Sequence, residues 1–247
     1  MIRLISFLSL LLVGATSAPG LADSPSLEVT LDTSETPHLR AWGEDARELI
    51  HRWQPRLMNL LATKPKAPAN RITLKIRNSN KGVGSTSRNI ISVSSHWIEK
   101  HPEDLGLVFH ELVHVVQGYP SGDPWWLTEG IADYLRWAIY EGKDLAWFPR
   151  PKVPKGYRKG YRVAAGFLLW LEIEHAPGIV KRLHNAMRNR EYSDELFQLQ
   201  TGQQLNELWA AYSGQEVKQE DETSQKFPTR LPEELEVNSV QNRTSEG

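Results

Sequence analysis

Hydrophobic positions change their period along this chain, and the changes divide it into segments. Ser26–Leu31 alternates, with Leu27, Val29 and Leu31 on one face, which predicts a strand. From Glu35 to Ala62 the apolar residues move to helical spacing (Leu39, Trp42, Ala46, Leu49, Ile50, Trp53, Leu57), and Pro55 is expected to kink or break that helix. Lys64–Pro68 is a connector, and Arg71–Ile76 is the clearest strand, with Ile72, Leu74 and Ile76 on one face. Asn78–Arg88, rich in Gly, Ser and Asn, reads as a loop, and Asn89–Ser95 as a further strand. Beyond Pro102 the patterning is helical. A first helix starts at Pro102, carries Glu103 and Asp104 in its first turn, and ends near Gly118. Asp123 is placed to cap a second helix that runs to about Glu141. A loop rich in Pro, Lys and Trp (Gly142–Gly156) precedes helices at Tyr161–His175, Gly178–Arg190, Ser193–Leu199 and Gln204–Tyr212. Strands first and helices later predict an α+β fold, with a small N-terminal sheet and a mainly helical C-terminal lobe.

The two ends of the chain read differently from its middle. Residues 1–22 have the form of an export signal: Arg3, an apolar run Leu4–Val13 too short to span a bilayer, and small residues at Gly20-Leu21-Ala22. From residue 214 onward acidic residues outnumber basic ones and apolar residues are sparse, so 214–247 is expected to be a disordered tail. Asn242-Arg243-Thr244 matches a glycosylation acceptor, relevant only in a eukaryotic secretory route. The folded domain is therefore expected at 23–213. The chain has no Cys, so stability after export must come from the core or from a metal, and the expected setting is the periplasm or medium of a bacterium. A formal net charge of −1 gives no support to nucleic-acid binding, and no membrane association is expected once the signal is removed.

Candidate chemistry enters at His110-Glu111-Leu112-Val113-His114, inside the first C-terminal helix. Residues i and i+4 lie one turn apart on a single helical face, so two imidazoles there can hold one metal ion while Glu111 reaches a water beside it. The same pattern also fits two histidines that are merely hydrogen-bonded inside a bundle. Fifteen residues past His114 comes Glu129, four residues before Asp133, so two carboxylates share a face of the next helix. His110, His114 and Glu129 make the three protein ligands that a catalytic zinc site needs, leaving a fourth position open. Asp133 is placed to accept the spare ring N–H of a ligating histidine. Gly130 would let the two helix backbones or the metal come close. The bland reading of Glu129 and Asp133 is a solvated acidic face. It conflicts with Ile131, Ala132, Tyr134, Leu135 and Trp137, which mark the helix as largely buried. Gln117 lies on the histidine face and either bonds near the site or caps the helix end.

Three blocks, His110–Gln117 (H-E-x-x-H-x-x-Q), Glu129–Arg136 (E-G-I-A-D-Y-x-R) and Gly160–Leu171 (G-Y-x-x-A-A-x-F-L-x-W-L), resemble the plant and bacterial basic secretory protein family of peptidases, of the gluzincin type. The likeness spans roughly residues 71–190. It implies a zincin-like fold with the active-site helix between sheet and helical lobe, one Zn2+ per chain on His110, His114 and Glu129, and Glu111 as general base for hydrolysis of a peptide or protein substrate. Tyr161, which opens the third block, is the candidate oxyanion donor, ahead of Tyr157 and Tyr134; otherwise it is a boundary tyrosine with its hydroxyl in water. In zinc peptidases of this type an exposed strand edge pairs with substrate, which assigns that role to Ile91, Ser92 and Val93. Trp125, Trp126, Trp147 and Phe148 either line pockets or pack in the core. The chain departs from the family's pattern in not being basic and in its acidic tail. Other readings that stay open are a zinc amidase acting on cell-wall peptides and an inactive relative that binds peptides.

Overall fold

Four strands form one sheet in the order β1-β2-β4-β3: β1 Glu28–Asp32, β2 Arg71–Arg77, β3 Gly84–Ser87 and β4 Ile90–Ser94. The computed structural model describes residues 27–61 and 70–215; the expected export signal, the connector at 64–68, the tail beyond 215 and the Asn242 acceptor lie outside them. β1, β2 and β4 run parallel and β3 returns antiparallel along β4. The register builds straight cross-strand rows, because partners in a sheet point to the same side. One row is Leu31, Leu74, Ile91 and Thr86; the next is Ile76, Val93 and Gly84. On this side Leu74, Ile76, Ile91 and Val93 are buried, with half-buried Leu31, Gly84 and Thr86 at its margins, whereas Thr73, Lys75, Arg77 and Ser92 on the other side are half-buried. Lys75 is held there by Glu35 at 2.9 Å and Asp32 at 3.7 Å.

Two helices cover the apolar side. Helix α1 (Arg40–Leu60) contributes Ala46, Leu49, Ile50 and Leu57. It crosses the sheet at Gly43, where a Cβ would press on Leu31 and Ile76. The helix continues unbroken through Pro55, whose missing N–H falls at an exposed position. After the short helix α2 (Ser95–Lys100), capped by Ser94 accepting from the Trp97 N–H, comes α3 (Gly106–Gln117). Of its twelve residues all but His114 are buried. It begins four residues later than Pro102, because Asp104 acts as a cap: its carboxylate accepts from Leu107 N (3.1 Å), Trp97 Nε1 (3.0 Å) and Arg136 Nη2 (2.6 Å). The helix ends at Gly118 in the left-handed region, as the sequence predicts.

Helix α4 (Trp125–Asp133) follows a turn, without the Asp123 side-chain cap expected from sequence, and passes into one stretch of π-helix at Tyr134–Tyr140. Helices α5 (Tyr161–Glu174), α6 (Ile179–Asn189), α7 (Glu195–Thr201) and α8 (Leu205–Ser213) complete the lobe, close to the predicted bounds. Much of the aromatic surplus is core: Tyr157, Phe167 and Trp209 stack about one another, and Trp209 donates its indole N–H to Val153 O at 2.8 Å. Arg188 of α6 donates to the carbonyls of Val116 and Gln117, both at 3.0 Å, and so satisfies the C-terminal end of α3. No helix of the described residues is long and apolar enough to cross a membrane.

Candidate metal centre

Three elements meet around α3. One helical turn brings His110 and His114 to the same side, and α4 lies across them with Glu129 and Asp133. The two imidazole Nε2 atoms are 3.1 Å apart, and Glu129 Oε2 is 3.2 Å from that of His110 and 3.5 Å from that of His114. Atoms held about 2.0–2.2 Å from one tetrahedral ion stand roughly 3.3–3.6 Å from each other. The observed triangle therefore has the size of one face of such a coordination shell. These three residues also form a candidate metal-holding group among the described residues.

The outer contacts fix which nitrogen faces inward. His110 Nδ1 lies 2.8 Å from Asp133 Oδ1, and since a carboxylate only accepts, that nitrogen carries the proton. His114 Nδ1 lies 2.7 Å from Gln117 Oε1, while Gln117 Nε2 donates to Thr128 O at 2.9 Å. Gln117 thus bridges α3 to α4 and bonds beside His114 rather than capping the end of its own helix. In the neutral rings both Nε2 lone pairs then point at one another and at a carboxylate, an arrangement that calls for a positive charge between them. The electrostatics say the same. Burial pulls the His110 pKa down, but bonding to Asp133 and Glu129 outweighs it and lifts the group to about 9. Burial raises that of Glu129, yet the two histidines bring it down to about 2. A divalent ion with borderline-soft character, such as zinc, fits this set of two imidazoles and one carboxylate.

Glu111 points to the other side of the same cleft. Its carboxylate Oε2 accepts a 2.7 Å hydrogen bond from Thr86 Oγ1 on β3. The cleft has a volume of about 1160 Å³, and its wall includes Gly84 and Thr86 of β3, the α3 residues named above, Glu129, and Tyr161 at the start of α5. That exceeds the roughly 300–1,000 Å³ typical of small-ligand pockets and suits an extended chain. Tyr161 is 48% exposed, sits at φ +44°, and lays its ring 6.3 Å from that of His110 and 5.3 Å from Trp125. Burial and then the Glu129, Asp133 and Glu111 carboxylates raise its pKa, so the hydroxyl keeps its proton and can donate. Tyr157 is buried with its hydroxyl on Asn206 Oδ1, and neither it nor Tyr134 lines the cleft. Among the four flanking aromatics, Trp126 and Phe148 are core, Trp125 and Trp147 are exposed, and none lines the cleft; Trp137 does.

One assignment needs correction. Ile91, Ser92 and Val93 cannot offer a free edge, because β4 is paired to β2 on one side and to β3 on the other, with Ile91 and Val93 fully buried. Among the described residues the free edge beside the site belongs to β3, whose residues 84–87 read as loop in the sequence. Thr86 and Gly84 line the cleft and escape the sequence reading for the same reason; in the uniformly polar Gly84–Ser87 the β-branched Thr86 is the one strand signal. Gly130 does permit a close approach, but between α4 and α5: a Cβ there would stand 2.7 Å from Ala164 Cβ.

Comparison with known proteins adds one match. The family model BSP, described as peptidase of plants and bacteria, matches residues 33–212, which takes in β2–β4 and every residue that lines the cleft. No curated protein and no solved structure matches the chain.

Proposed function

The chain belongs to this peptidase family of plants and bacteria, and from that premise we propose that it is a zinc-dependent peptidase, exported through residues 1–22, with a zincin-like arrangement of sheet and active-site helix. The observation that carries the zinc assignment is the triangle of His110 Nε2, His114 Nε2 and Glu129 Oε2, each histidine held in the required tautomer by its own acceptor. These three residues would hold the ion. When bound, zinc supplies Lewis acidity that makes water nucleophilic near neutral pH and draws off charge developing on the scissile carbonyl.

The chain's own groups do the rest. Glu111, one residue from His110 but turned toward β3, is free of the ligand triangle and is placed to take the proton of the attacking water and pass it to the leaving amine. Tyr161, protonated and facing the cleft, donates to the oxyanion. The edge of β3 that no described strand pairs offers backbone groups to an extended peptide. The decisive experiment measures metal content and peptide cleavage together. About one zinc per chain, with cleavage abolished by Glu111→Gln while the metal is retained, supports the proposal. Purified metal-free protein that gains no activity when zinc is supplied sinks it. Digesting casein beside purified cell wall separates a protein substrate from a wall peptide.

A further inference from the structure

We propose that Thr86 is the positioning residue for Glu111, and that Gly84, two positions before it, leaves the space the carboxylate occupies. The inference rests on the peptidase reading above, since it assigns a reason for the geometry of the general base. Thr86 Oγ1 lies 2.7 Å from Glu111 Oε2 and 2.9 Å from the Glu111 carbonyl. A hydroxyl has one proton to give. The carbonyl already belongs to the hydrogen-bond ladder of α3, and a bond to an ionised carboxylate is the stronger of the two, so the proton goes to Oε2. Oε1 has no protein donor among the described residues, which leaves that oxygen to receive a proton in the reaction.

The sheet gives no reason of its own for either residue. Thr86 ends the row Leu31–Leu74–Ile91, where an isosteric valine would continue the apolar surface. Gly84 ends the row Ile76–Val93, and glycine weakens a strand. Both make sense from the side of α3. A Cβ on Gly84 would stand 2.7 Å from Glu111 Oε1 and 3.2 Å from its Cγ, so any larger residue evicts the carboxylate from its place. Glutamate has three rotatable side-chain bonds; the β3 edge removes that freedom by closing one direction and supplying a donor in another. The ligand His110 and the base Glu111 are adjacent in sequence but are oriented by different elements, α4 for the first and β3 for the second.

The test compares Thr86→Val, Thr86→Ser and Gly84→Ala with the wild type in steady-state peptide hydrolysis, zinc content and crystal structures of the metal-free proteins. Thr86→Val is expected to lower kcat about 10²-fold, the size of effect seen when a reacting group is misplaced by ~1 Å. Its KM and zinc content should stay those of the wild type, and Glu111 should be rotated off β3 in the metal-free crystals. Thr86→Ser, which restores the donor, should recover most of the kcat, and Gly84→Ala should lose it although the hydroxyl is intact. The proposal is overturned if Thr86→Val keeps its kcat, if Glu111 stays in place without the hydroxyl, or if zinc content falls in step with activity. Wild-type protein that takes up zinc and cleaves no peptide overturns the proposed function and this inference with it.

Discussion

Replacing Gly130 by alanine should loosen the metal site without touching a ligand. At the crossing of α4 and α5 an added Cβ would lie 2.7 Å from Ala164 Cβ and 3.4 Å from Leu168 Cδ1. Two carbons rest about 3.5–4.0 Å apart, so the helices must separate by about 1 Å. Glu129 and Asp133 ride on α4, while His110 and His114 stay on α3. Metal–ligand distances tolerate only about ±0.2 Å, so the carboxylate side of the site is expected to fall out of register. Zinc affinity should drop about 10–100-fold, the range produced by disturbing a ligand's supporting partners. For the metal-free protein, two effects oppose each other. Alanine gains about 1 kcal/mol of helix propensity over glycine, and overpacking costs typically about 1–3 kcal/mol. The net loss is thus about 0–2 kcal/mol, and Tm falls by roughly 2–4 °C for each kcal/mol. Competition with a chelator reads the affinity and thermal melts read the stability. The double variant Gly130→Ala/Ala164→Gly removes the colliding methyl and should recover much of the zinc affinity, which makes a double-mutant cycle. Gly130→Ala protein that binds zinc as tightly as wild type, or a double variant no better than the single one, would refute the claim that this crossing places Glu129.

Three further outcomes follow from the same geometry. Tyr161→Phe should lower kcat about 10²–10³-fold with little change in KM, as expected for a donor used only as charge develops; unchanged kcat removes Tyr161 from the reaction. Asp133→Ala leaves the His110 Nδ1 proton without its acceptor and should weaken zinc binding about 10–100-fold, measured by chelator competition. His184 gives a pH dependence: it is fully buried, lies with Nδ1 3.0 Å from the Tyr119 hydroxyl, and is held down to about 3 by burial and by the nearby Arg188 charge. A depressed folded pKa means the unfolded chain takes up a proton that the folded one refuses, so the contribution is present above pH ~6.5 and is lost as pH falls toward ~3. Each unit is worth about 1.4 kcal/mol, so between pH 7 and 4 urea melts should show a loss steeper by about 3 kcal/mol for wild type than for His184→Gln; equal slopes would count against it.

The sequence made the helical half of the site readable because its ligands obey the helix repeat. His110 and His114, then Glu129 and Asp133, are each four apart, and α3 and α4 put them where that spacing says. The other half was hidden because it breaks the pattern that reveals strands. On β3 the inward positions are Gly84 and Thr86, which face a carboxylate rather than the apolar core, so no hydrophobic alternation marks them. Function took the place of the signal. With β3 invisible, β4 looked like an edge, and the substrate role fell on Ile91–Val93. The start of α3 was misplaced for a related reason. Asp104 carries the acidic charge expected of a first turn, but it serves as a cap tied to Trp97 and Arg136, contacts made across the fold.

The pairing of β3 with β4 also bears on how the gene can vary. Side chains alternate along a strand with a period of two, so sliding β3 by one residue would turn Ser85 and Ser87 inward and send Thr86 to solvent. An insertion between Gly84 and Thr86 would put the two on opposite faces. A loss or gain of one codon in this hairpin would therefore silence the base while sparing every metal ligand, yielding a protein that still loads zinc. Just upstream, Gly82 sits in open space, and length changes there leave the parity intact. Among descendants of this sequence, the hairpin's length should be fixed and the loop before it free to drift.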